Sequence, residues 1–259
     1  MLLNTFALSL AAAFGLAVHA PVSGAEEIDH WSYAGEMGPV HWAELESGSA
    51  CSGSRQSPVN IIRTDTTPRT SDDRLLELNY PSVTRILSAA NNGHSVQLDF
   101  EPGDEIRLQG KQYFLQQIHF HSPSEHTLNG VRYPLEMHLV HSNRARDRFT
   151  VLSVLGYEGR SSPVLRQFEQ FGVPEMDQSI PMAMPIDLSA IFPTTLTPRF
   201  HYSGSLTTPP CTENVNWVVF ETPFMLAEEQ VKRLQQNMPV NNYRDVQPLN
   251  GRAISLIVH

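Results

Sequence analysis

The chain has 259 residues, 41% of them hydrophobic and 17% charged, which is enough apolar material for one folded core and the wrong composition for disorder. A formal net charge of -9 argues against nucleic acid as a partner, because phosphate binding needs clustered Lys and Arg. No repeat period or low-complexity tract follows Glu26, so a single domain is expected over residues 26–259.

Met1 to Ala25 carries no Asp, Glu, Lys or Arg. Its apolar run from Phe6 to Val18 is too short to span a bilayer, so residues 1–25 read as a signal peptide, although the usual basic start is missing. Ser23 and Ala25 suit a small-residue cleavage site. The mature chain would begin at Glu26, contain no membrane span, and reside in the periplasm or outside the cell. Export bears on Cys51 and Cys211, the two cysteines of the chain. In an oxidising compartment they can form one bridge; in the cytosol they would be two buried thiols.

Alternating or β-rich runs follow at Ser95 to Phe100, Glu105 to Leu108, Tyr113 to His121, Glu136 to His141, Phe149 to Leu155 and Asn214 to Phe220. The turn pairs Asn92-Gly93, Gln109-Gly110 and Asn129-Gly130 favour antiparallel neighbours. Two short peripheral helices are expected. One starts near Ser162 with Pro163 in its first turn and aligns Val164, Phe168 and Phe171; the other aligns Ala227, Val231 and Leu234.

Strand parity organises the histidines. Side chains two apart share a face, so Gln117, His119 and His121 point one way, and Glu136, His138 and Val140 share a face of the next strand. Three neutral imidazoles with an open fourth position suit a catalytic zinc site, and no cysteine is near to close it. Gln117 and Glu136 are placed to hold the outer ring nitrogens of His119 and His138. His141 faces away and His126 lies beyond the strand, so both read as interior hydrogen-bonding residues. His30, His41, His201 and His259 have no metal spacing. By spacing alone, His94 is a turn residue.

From His30-Trp31-Ser32-Tyr33 to Gln247-Pro248-Leu249-Asn250-Gly251-Arg252 the chain resembles the α-carbonic anhydrase family. The motifs are Arg55-Gln56-Ser57-Pro58, Asn92-Gly93-His94, His119-Phe120-His121, Ser124-Glu125-His126-Thr127, Glu136 through His141, and Gly204-Ser205-Leu206-Thr207-Thr208-Pro209-Pro210. Ser122-Pro123 after the histidine pair, where vertebrate members often have Trp, and the two cysteines are similar to exported bacterial members, in which those cysteines are bridged. Gln97 stands where many members have Asn. The resemblance implies a mainly β fold: one domain with a large twisted, mainly antiparallel central sheet and short peripheral helices.

It also implies a carbonate dehydratase that interconverts carbon dioxide and bicarbonate by attack of a zinc-bound hydroxide. Zn2+ is assigned to His119, His121 and His138, in agreement with parity. Glu125 and Thr207 match the pair that orients the hydroxide, and Thr208 lies beside the bicarbonate position. Val140, Val151, Leu206 and Trp217 match the substrate wall; of these only Val140 is placed independently, by sharing a face with His138. His94 matches the proton shuttle, with Tyr33, Asn92 and Gln97 ordering intervening water. Bacterial members are often homodimers. Members that act as binding modules typically lose a zinc histidine, and this chain keeps all three. Esterase chemistry is secondary, since no Ser-His-Asp set or HExxH helix is present.

Overall fold

A computed structural model describes residues 31–45, 48–70, 75–81, 83–169, 172 and 174–258. The expected signal peptide, His30, Phe171 and His259 lie outside the described residues. Ten strands lie side by side in the order Gln178–Ile186, Thr84–Asn91, Val96–Phe100, Lys111–His121, Leu135–Ser142, Phe149–Glu158, Glu213–Phe220, Arg199–Ser205, Ser255–Val258 and Thr67–Thr70. Leu76–Asn79, Glu105–Leu108 and Phe224–Leu226 complete a 13-stranded sheet. A small sheet joins Asn60–Ile61, Thr127–Leu128 and Val131–Arg132.

All six runs read from the sequence are strands. The hairpin between Glu105–Leu108 and Lys111–His121 turns on Gln109 and Gly110, both at positive φ (51° and 75°), as a tight two-residue turn between right-twisted strands requires. The two edge strands were harder to read because prolines interrupt them: Pro181 and Pro185 on one edge, Pro68 on the other. Proline removes a ladder donor, so it is tolerated at an edge, where it also blunts further pairing. Thr84–Asn91 was missed because Ser88, Ala89, Ala90 and Asn91 carry little β-propensity.

The sheet is mixed. Phe149–Glu158 pairs antiparallel with Leu135–Ser142 but parallel with Glu213–Phe220. That parallel pairing sets Val151 directly opposite Trp217, residues far apart in sequence.

The sheet separates two apolar clusters. Ile118, Phe120, Met137 and Leu139 face one, which also takes Val164, Leu165 and Phe168 from the Pro163–Glu169 helix and Val231 and Leu234 from the Glu228–Gln235 helix. Val140, Val151, Tyr202 and Trp217 belong to the other. The helices therefore cover one face and leave the histidine face open. Gly204 permits close packing there, since a Cβ would sit 2.1 Å from Ser57 Oγ and 3.0 Å from Trp217 Cδ1. Cys51 and Cys211 form a disulfide. No helix among the described residues is long and apolar enough to cross a membrane.

Candidate active site

His138 lies directly opposite His119 in the antiparallel pair, Glu136 opposite His121, and Val140 opposite Gln117. Parity had grouped these residues by strand; the register brings the groups together. The ring nitrogens of His119, His121 and His138 converge to within 4.8 Å of one another.

Each ring is held by its other nitrogen. His119 Nδ1 donates to Gln117 Oε1 at 2.8 Å, and His138 Nε2 donates to Glu136 Oε1 at 2.7 Å. His121 Nδ1 donates to the Asn242 carbonyl at 2.6 Å, a partner with no signal in the strand pattern. The free nitrogens are therefore His119 Nε2, His121 Nε2 and His138 Nδ1, each presenting a lone pair. Burial holds all three rings below the ordinary imidazole range, His121 at about 4, with neighbouring rings contributing to the depression. Neutral rings keep those lone pairs available.

His119 Nε2 and His138 Nδ1 lie 3.2 Å apart. As two acceptors they cannot hydrogen-bond, whereas two nitrogens bound tetrahedrally to zinc would be about 3.3 Å apart from the usual Zn–N bond length. His121 Nε2 and Glu125 Oε2 are buried without hydrogen-bond partners and face each other at 3.5 Å. A cation between the three nitrogens resolves this crowding of lone pairs.

Glu136 anchors the cluster from beneath. Its Oε1 also accepts from His126 Nδ1 at 2.7 Å and Ser153 Oγ at 2.6 Å, while Oε2 accepts the backbone N–H groups of Glu125 and His126, both at 2.8 Å. Burial alone would raise this carboxyl, but the facing His126 and His138 rings hold it well below the usual carboxylate range. His126, Glu136 and His138 thus lie together as a hydrogen-bonded set. His126 Nε2 continues to the Tyr202 hydroxyl at 2.6 Å, which meets Ser57 Oγ at 2.9 Å. His141 faces away as expected, with Tyr80 Oη on its Nε2 at 2.6 Å.

The Thr207 side chain is close enough to the Glu125 carboxyl to lower its pKa, and the Arg244 backbone N–H donates to Glu125 Oε1 at 2.9 Å. Burial pushes the Glu125 carboxyl up to about 7, opposed by His138 and by these two groups. Val140, Val151, Leu206, Thr207, Thr208 and Trp217 line a cavity of ≈ 270 Å³ with His119 and His138. Phe149 also lines it and was not anticipated; its half-buried position at a strand start gave no signal.

His94 is half-buried in a turn where Asn92 Oδ1 accepts its backbone N–H at 3.0 Å. Its ring stacks on Trp31 with centroids 3.6 Å apart. Gln97 donates to Asp99 Oδ1 at 2.8 Å, so part of its amide is already engaged. Asn242 Nδ2 donates to the His94 carbonyl at 3.1 Å, linking this turn to the segment that holds His121.

A family model described as eukaryotic-type carbonic anhydrase matches residues 37–257. A carbonic anhydrase of Pectobacterium carotovorum is 37% identical over 227 residues, covering 87% of this chain and 90% of its own. One from Klebsiella pneumoniae is 38% identical over 229 residues, covering 87% and 90%. The solved structure of α-carbonic anhydrase from Thermovibrio ammonificans in complex with the inhibitor sulfanilamide superposes with a TM-score of 0.81 at 35% identity, over 88% of this chain and 99% of that one.

Proposed function

Because the chain belongs to the eukaryotic-type carbonic anhydrase family, we propose that it reversibly hydrates carbon dioxide to bicarbonate and a proton with a Zn2+ ion held by His119, His121 and His138. The observation that carries the metal assignment is the convergence of three lone pairs, each fixed by a hydrogen bond on the far side of its ring. When bound, zinc brings the pKa of a water in its open position to about 7, a value for which carbonic anhydrase is itself the reference case, and so supplies a nucleophile at neutral pH.

The protein's own groups do the rest. Glu136, Gln117 and Asn242 fix which nitrogen of each ring carries its proton. An ionised Glu125 can only accept, so the Thr207 hydroxyl donates to it and turns its own lone pair towards the nucleophile. Carbon dioxide has no net charge or dipole to grip, and Val140, Val151, Leu206 and Trp217 offer it an apolar wall. The Thr207 backbone N–H is the donor for a substrate oxygen, and Thr208 borders the product. His94 carries the released proton to solvent, imidazole being the side chain that can both take and give a proton through its two ring nitrogens.

Export to the periplasm or beyond is part of the proposal. The Cys51–Cys211 bridge supports it, since such bonds persist in oxidising compartments. Metal analysis combined with stopped-flow carbon dioxide hydration tests the reading. The purified protein should hold one zinc per chain, and His138→Ala should lose both zinc and nearly all activity. Normal zinc content and turnover in that variant would remove His138 from the site.

A further inference from the structure

A second cavity of ≈ 590 Å³ opens beside the bulge in the Lys111–His121 strand, where the pairing slips between Val140 and His141 and leaves Gln116 without a partner residue. Gln116 walls both this cavity and the one at the histidines. Its Nε2 donates to the Phe114 carbonyl at 2.9 Å, so the wall is held in place. Phe100, Phe114 and Leu115 give the second cavity apolar surface, and Arg144 and Arg146 also line it.

The charge at this cavity points to a ligand of opposite sign. Neither Arg144 nor Arg146 forms an ion pair among the described residues, in a protein whose net charge is -9. Arg144 instead stacks over the Phe114 ring, 5.1 Å from its centroid. The one acidic lining residue, Glu105, is engaged elsewhere: it accepts from Gln112 Nε2 and lies 4.0 Å from Arg107 Nε.

We propose that this cavity binds a small organic monocarboxylate with an apolar body, of the arylalkyl carboxylate class. The carboxylate meets Arg144 and Arg146, while the ring lies against Phe100, Phe114 and Leu115. Guanidinium forks suit a carboxylate, and a pocket of this size suits a small organic molecule. The site makes no use of the metal chemistry proposed above.

The test is a titration of the 15N-labelled, zinc-loaded chain with 3-phenylpropanoate, followed by NMR. Saturable shifts are expected at the backbone amides of Phe114, Ser142, Arg144 and Arg146, with a Kd below about 1 mM. The neutral analogue 3-phenylpropanamide, and separately the Arg144→Ala/Arg146→Ala variant with the carboxylate, should each bind at least about tenfold more weakly. Both arginines are exposed, so that variant should fold, with hydration activity unchanged. Gln116 is excluded as a reporter because it walls both cavities. Shifts confined to Val140, Thr207 and Thr208 would overturn the proposal, as would absence of saturable binding or an undiminished affinity in the arginine variant.

Discussion

Glu136→Gln changes almost no volume but removes one of two acceptor oxygens at the most heavily bonded side chain of the site. In the wild type, Oε1 accepts three donors and Oε2 accepts two backbone N–H groups. The backbone donors cannot turn away, so the glutamine oxygen should take the Oε2 position and its NH2 should face His138, His126 and Ser153. His138 Nε2 then meets a donor at 2.7 Å and must become an acceptor, which moves its proton to Nδ1. Nδ1 is the atom that faces the other two ligand nitrogens. Loss of such an outer partner typically costs about 10- to 100-fold in metal affinity, and the forced tautomer places this change at the upper end. Zinc affinity measured by chelator competition, with hydration assayed at saturating zinc, reads the effect. Ser153→Ala, which removes one of the three Oε1 donors and leaves the tautomer alone, is the control. If Glu136→Gln binds zinc as tightly as Ser153→Ala, the carboxylate does not set the His138 proton and the reasoning fails.

His94→Ala should lower maximal hydration by at least about tenfold in weak buffer, with zinc content intact and the rate partly restored by added imidazole. Equal rates in weak buffer would return His94 to a simple turn residue. Thiol titration of unreduced, denatured protein should find no free cysteine; the Cys51→Ser/Cys211→Ser variant releases a constraint spanning 160 residues and should lose up to about 5 kcal/mol in denaturant unfolding, with an unchanged midpoint counting against that role. Burial holds the His141 ring down at about 4, whereas an unfolded histidine titrates near 6.5. The unfolded chain therefore binds this proton first as pH falls, so the contribution to stability is complete above about pH 6.5 and is lost progressively down to about pH 4, on the order of 3 kcal/mol in all. Urea unfolding across that range should show a shallower acid limb for His141→Gln, and an identical slope would show that another group carries the titration.

The alternation of strands determined more of the site than composition or charge did. A two-residue period is enough to place Gln117 with His119 and His121, and Glu136 with His138 and Val140, because side-chain direction in a strand is local. The same parity turned His141 away, and the structure gives it Tyr80 as a partner on the other face. Family motifs carried Glu125, Thr207, Thr208 and His94, whose roles no local periodicity could assign. Tertiary structure alone decided what meets what. The register set His138 across from His119, and the parallel pairing set Val151 across from Trp217. Both depend on contacts formed only after long loops close, whose entropy is offset by the whole core and not by any one segment. The partners of His121 and Glu125 come from Asn242 and Arg244, through a backbone carbonyl and a backbone N–H in an irregular stretch. Every residue carries the carbonyl and every one but proline the N–H, so side-chain patterns leave no trace of which of them is used.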